Sequence, residues 1–256
     1  MRNAIYPALT AVILVGAWYL AVLFFEVPRY LLPLPGEVVT RLIEDRDFLL
    51  RHGWVTTYET LGGFALSIVI GIPLALLIVS SSTIDRALMP WIVLSQTFPK
   101  IALAPLIVVW FGLGLVPKLI VTFLVAFFPI LISTIVGLRS MERDMDELRL
   151  SMRASVWQTF WYFRLPLALP SLFAGLKVSV AFAAVGAVIA EWVGANEGLG
   201  YLLLTANANL DTPLLFAVLV LLMVLGMVLY HAIEMLERLL IPWHATIRLK
   251  TGQPSF

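Results

Sequence analysis

The sequence predicts an all-α, polytopic membrane protein of about six transmembrane helices. Two observations carry that reading. The 256 residues are 61% hydrophobic and only 13% charged, with a mean hydropathy of +0.97, whereas a soluble domain is about half apolar and about a quarter charged. The apolar residues also fall in runs long enough to cross a bilayer, which takes about 20. Such runs cover about 5–25, 55–80, 87–112, 117–138, 168–192 and 213–236. Helices are expected because a peptide group in lipid must find its hydrogen-bond partner within its own segment. There are no cysteines, which removes disulfides, thiolate metal sites and thiol catalysis. The net charge of +1 gives no reason to expect nucleic acid.

The first run follows Arg2 and is uncharged from Asn3 to Phe25. It is longer than the core of a signal peptide and ends in Phe24, Phe25 and Glu26 rather than at a small-residue cleavage site, so a retained span is expected. The following loop, LLPLPGEVVTRLIEDRDFLLRHG, sets Val38, Val39, Leu42, Ile43, Leu49 and Leu50 at helical spacing. Arg41, Glu44, Asp45 and Asp47 lie on the other side. It reads as a short amphipathic helix starting near Pro35 and resting on the outer membrane surface. The third run is the least regular, with Pro99, Lys100 and Pro105 where hydrocarbon is expected. No internal repeat, low-complexity tract or soluble domain is visible, so residues 1–256 read as a single transmembrane domain.

Lys and Arg set the orientation. With the N-terminus inside, the cytoplasmic segments hold Arg2, Arg86, Arg139, Arg143, Arg149, Arg153, Arg164, Arg238, Arg248 and Lys250. The outer segments hold Arg29, Arg41, Arg46, Arg51 and Lys118. The bias places both termini in the cytoplasm. The last outer loop, GANEGLGYLLLTANANLDT, carries no Lys or Arg at all.

Between the fourth and fifth runs lies a polar, aromatic-studded loop, about 139–167. Asp144 with Glu147, and Ser155 with Gln158, have capping-box spacing, which predicts two short helices, about 145–152 and 156–164. On the second, Val156, Trp157, Phe160 and Trp161 share a face. Those rings need burial. The protein's own span ends, the lipid interface or a partner would each supply it.

The loop resembles the cytoplasmic signature loop of the permeases of ATP-binding-cassette (ABC) importers. That pattern is Glu-Ala-Ala, a Gly four residues after the last Ala, and an Ile-x-Leu-Pro whose Pro lies thirteen after the Gly. Anchored on Leu165 and Pro166, its Glu falls on Glu147 and its Ile on Phe163, while Leu148, Arg149 and Arg153 replace the two alanines and the glycine. LPLALPSLFAGL, PKIALAPLIVVWFGLG, AEWVGANEGLGYL and the ending LLIPWH look like the branch importing sulfonates, taurine and nitrate. PKIALAPL is closer to relatives associated with pyrimidine vitamin precursors, flavins or aromatic acids. The resemblance covers roughly residues 30 to 244. It implies a type I importer permease fold, with the loop as a coupling helix. Glu147, Arg149, Arg153, Trp157, Phe160, Trp161, Leu165 and Pro166 would then face a separate ATPase. It further implies two ATPase subunits, a second permease copy (this chain or a related one), an extracytoplasmic solute-binding protein and the bacterial inner membrane. Arginine at the glycine position implies a different turn or a longer first helix.

The chain itself has no G-x-x-x-x-G-K-[ST] phosphate loop; its nearest fragment, GLGLVPK, lacks the second Gly-Lys pair. ATP and magnesium are therefore expected on the partner, and this chain is expected to be non-catalytic, with no cofactor. An ionisable group at membrane depth is costly and is by default a functional candidate. Lys100 leads, beside the helix-breaking Pro99 and with Ser95, Gln96 and Thr97 nearby. Gln96, Thr97, Lys100 and Glu191 form the candidate translocation set. Lys177 is expected to snorkel to the inner interface. Asn196, Asn207 and Asn209 are expected to cap helices, and His231 and His244 have no ligand at metal-binding spacing. A membrane-embedded enzyme is disfavoured, because Glu191 is the only carboxylate that reads as deep enough. A channel or secondary transporter is disfavoured by the absence of an internal repeat.

Overall fold

The computed structural model describes residues 2–243, and every regular element among them is helical. In chain order these are α1 (Arg2–Phe24), α2 (Pro35–Glu44), α3 (Arg46–Ser80), α4 (Ser82–Thr97), a 3₁₀ turn (Lys100–Leu103), α5 (Ala104–Phe111), α6 (Leu115–Leu138), α7 (Arg143–Ser151), α8 (Val156–Thr159), a π-helical turn (Phe160–Arg164), α9 (Leu165–Gly194), α10 (Leu199–Ala208) and α11 (Thr212–Leu240). His244, with Arg248 and Lys250, lies outside the described residues.

Among the described residues, four helices are long and apolar enough to span: Arg46–Ser80, Leu115–Leu138, Val156–Gly194 and Thr212–Leu240. The expected third span is instead two helical segments. α4 and the segment Lys100–Phe111 meet at 85°, because Pro99 cannot continue the hydrogen-bonding ladder and forces Phe98 into an extended conformation. The first expected span is α1, whose apolar part Leu9–Phe24 is shorter than the others.

α3, α6 and α9 form the packed centre. Small residues let them approach closely: a Cβ added to Gly186 of α9 would sit 2.9 Å from Thr122 Cα, and one on Gly137 of α6 2.7 Å from the Ala168 carbonyl oxygen. Hydroxyls tie the helices across these contacts. Ser179 donates to the Ala126 carbonyl (2.6 Å) and Ser67 to the Phe123 carbonyl (3.3 Å). Phe64, Ile130, Phe173 and Val180 fill the space between.

A second core gathers around α10. Val38 of α2 and Leu49 at the start of α3 pack with Leu199, Leu202 and Ala206 of α10 and Leu214, Ala217 and Val218 of α11. The amphipathic helix therefore does not merely rest on the membrane surface. It ends at Glu44, so Leu49 and Leu50 belong to α3. It is held to α11 by an ion pair from Arg41 to Asp211 (2.9 Å), and Thr212 donates to the Arg29 carbonyl (2.7 Å).

Candidate functional site

The polar loop closes as its sequence suggests in one half and not in the other. Ser155 accepts from the Gln158 amide (3.2 Å) while the Gln158 side chain accepts from the Ser155 amide (2.8 Å), so this capping box forms. The Asp144 box does not. α7 starts two residues earlier than expected, at Arg143, with Glu142 at its N-cap and no side-chain cap. The second short helix is not separate either: α8 runs through the π-turn into α9 without a break, so the free loop is shorter than expected. Leu165 and Pro166 follow the π-turn directly at the start of α9, and the proline, lacking an N–H, leaves one carbonyl of that turn without its helical donor.

Arg153 adopts φ +49°. The Ala154 amide donates to the Arg149 carbonyl (3.1 Å) and the Arg153 amide to that of Leu150 (3.0 Å). Those two bonds make the helix-ending turn in which glycine usually sits. Arginine thus takes the glycine conformation rather than imposing a different turn.

Trp157, Phe160 and Trp161 do share a face. Their ring centroids lie 5.6 Å (Trp157–Trp161) and 5.5 Å (Phe160–Trp161) apart in edge-on contacts. The face is left open: Trp157 is 70% exposed, and Val156 and Tyr162 beside it more so. Glu147 is exposed on α7, and Arg149 pairs with Asp146 at 2.9 Å.

At the break between α4 and α5, Gln96 and Lys100 line one groove of 520 Å³ with Phe98, Phe128, Ser133 and Phe182. The Lys100 ammonium lies 4.3 Å from the centre of the Phe128 ring, a cation–π contact, and it makes no ion pair among the described residues. Thr97 is not part of that wall; its hydroxyl donates to the Leu94 carbonyl (2.7 Å).

Glu191 lies nine residues past Phe182 on α9, about 13 Å of helix rise, in a buried cluster that the sequence did not disclose. Its Oε1 accepts from Thr56 (2.7 Å) and its Oε2 from the Gly200 amide. Thr56 Oγ1 also accepts from the Leu199 amide (2.8 Å), and His52 Nδ1 from the Gly198 amide (3.0 Å), which fixes the ring proton of His52 on Nε2. Three amides at the start of α10 are thus met by side chains from α3 and α9, a carboxylate among them, as the positive end of a helix favours. The expected asparagine caps do not form this contact. Nor is Glu191 the only deep carboxylate: Glu59 is fully buried and pairs with Lys118 at 2.7 Å. Lys177 does not simply snorkel, since it pairs with the buried Glu237 of α11.

Residues 67–242 match the family described as binding-protein-dependent transport system inner membrane component. The chain belongs to that family. It is 40% identical over 242 residues to the formylaminopyrimidine transport permease protein ThiX of Halalkalibacterium halodurans, covering 94% of this chain and 96% of that protein. It is 38% identical to the riboflavin transport system permease protein RibX of Chloroflexus aurantiacus (94% and 92% covered). It is 29% identical to the taurine transport system permease protein TauC of Escherichia coli (93% and 89% covered). A chain from an inward-facing methionine ABC transporter, MetNI, superposes with a TM-score of 0.66 at 23% identity, covering 75% of this chain and 95% of that one. The fold is that of a type I ABC importer permease, and the family membership makes this chain a multi-pass, non-catalytic membrane subunit of an ABC importer.

Proposed function

We propose that this permease works as one of two membrane subunits docked on two ATPase subunits, and that it carries a small organic solute handed over by an extracytoplasmic binding protein. The observation that carries the ATPase half is the open aromatic face of Trp157, Phe160 and Trp161, set beside Glu147 at the family's motif position. Exposed rings of this size are what a partner buries. Closure of the ATPase subunits on ATP would move the docked loop. Because α8 continues into α9, that motion reaches the packed centre through one helix. Both termini and the loop then lie in the cytoplasm of a bacterial cell.

The solute path in this reading runs along the groove at the α4–α5 break. Its walls carry a cation and no carboxylate, which suits a solute bearing acceptors or negative charge. The names of the relatives at 40% and 38% identity, formylaminopyrimidine and riboflavin, support an acceptor-rich ring ahead of an alkyl sulfonate. Lys100 offsets part of the desolvation cost during passage without making a tight site, since a conduit must also release. The test is ATP-dependent uptake in proteoliposomes containing this chain, its ATPase and the binding protein. Uptake is expected only with all three. Transport by this chain alone would refute the assignment.

A further inference from the structure

A cavity of 330 Å³ lies between the polar loop and the adjoining ends of α3 and α6. One side is apolar: Leu76 and Val79 from α3 and Leu138 from α6. The loop side carries the two cations, Arg149 and Arg164, among Val156, Trp157 and Phe160. No carboxylate lines it. The charges around it are unequal. Arg139 of the neighbouring wall is satisfied by Asp85 at 2.6 Å, and Arg149 uses its Nε on Asp146. Arg164 makes no ion pair among the described residues, and its Nε is buried without a hydrogen-bond partner. A buried guanidinium nitrogen without an acceptor is costly.

We propose that this cavity binds one anionic phospholipid from the adjoining leaflet. Its phosphate would sit on Arg164 and Arg149, and an acyl chain along Leu76, Val79 and Leu138. Three features choose that occupant. A guanidinium pair matches a phosphate in shape and charge. The cavity lies at the ends of two spans, beside a tryptophan of the kind found at headgroup level. The apolar wall is continuous with the charged one, which a free anion would leave unused and a lipid fills. Basic pockets at span ends are the usual sites for anionic headgroups. The site shares a wall with Trp157 and so joins the membrane to the loop that the proposed function assigns to coupling. It does not rest on that assignment.

The test is thermal unfolding of the full-length chain in nanodiscs of phosphatidylcholine, with or without phosphatidylglycerol. A nanodisc presents both faces and contains no ATPase, so neither orientation nor partner enters. Phosphatidylglycerol is expected to raise the melting temperature by several degrees, since a ligand of the native state stabilises it. Arg164→Gln is expected to lose at least half of that shift. Arg238→Gln, whose parent pairs with Glu234 away from the cavity, is expected to keep it. Inorganic phosphate added to phosphatidylcholine discs is expected to do nothing. Leu76→Trp fills the apolar half and is expected to abolish the lipid shift, which decides the matter even if Arg164→Gln fails to fold. The proposal is overturned if wild type melts alike in both lipids, if Leu76→Trp keeps the full shift, or if phosphate alone reproduces it.

Discussion

Two groups of ionisable side chains inside this bundle are treated in opposite ways. Around the start of α10, Glu59 meets Lys118, Glu191 meets Thr56 and the Gly200 amide, and His52 meets the Gly198 amide. At the α4–α5 break, Lys100 meets the face of Phe128 and, among the described residues, no carboxylate. The other membrane lysines, Lys118 and Lys177, each have a carboxylate. Buried polar groups that hold a fold together are matched within the fold, because an unmatched one costs more than a matched one gains. In the proposed reading, a cation left without a carboxylate beside a groove is available to a solute that arrives. The same contrast separates Arg139, paired with Asp85, from Arg164, which makes no ion pair among the described residues.

The contrast breaks most readily at the cluster of Glu59, Lys118 and Glu191. Lys118→Met leaves Glu59 buried and uncompensated, and is expected to destabilise by about 3–5 kcal/mol. Adding Glu59→Gln should recover much of that loss. Unfolding of the purified protein in detergent measures both, and wild-type melting in the single variant would mean that the cluster does not hold the spans. Next in size are Trp157→Ala and Glu147→Arg, at the open face of the loop. Each is expected to weaken ATPase association by about 2 kcal/mol or more, roughly 30-fold, while membrane insertion stays normal. Pull-down of the ATPase from matched membranes reads this, and wild-type recovery in both variants would rule out docking there. The smallest effect on stability is at the loop's turn. Arg153→Gly relieves a positive φ and is expected to stabilise by about 1 kcal/mol at most. A loss of stability instead would assign the guanidinium a contact of its own.

Much of the frame was legible in the sequence, for local reasons. α6, α9 and α11 follow from uninterrupted apolar runs, and the Ser155–Gln158 cap from a four-residue pattern. Pro99 marked the third run as irregular, yet an 85° bend is set by what packs on either side of the break. The amphipathic pattern of α2 was readable. Its seat on α10 and α11 was not, because Arg41 and Asp211 are 170 residues apart. The cluster around the start of α10 was missed for the same reason: Thr56 and Glu191 are 135 residues apart. One signal was present. Glu59, with Thr56, Thr57 and Thr60 around it, stands inside a predicted span, and a carboxylate there calls for a partner. At Arg153 the residue type argued against the family's turn, but the turn's backbone bonds prevailed over the preference of the side chain.

We propose that Lys100 serves the solute and not the fold. Lys100→Met keeps the length and removes the charge. Uptake and melting temperature are to be measured on the same preparation, reconstituted with the ATPase and the binding protein. The melting curve should match wild type within about 1 kcal/mol, since among the described residues Lys100 gives up only its approach to the Phe128 ring. ATPase association and the binding protein's affinity should be unchanged. Uptake should fall about tenfold or more, the scale of a lost charged hydrogen bond. Uptake equal to wild type across the substrate range, or a protein that no longer folds, would contradict the account.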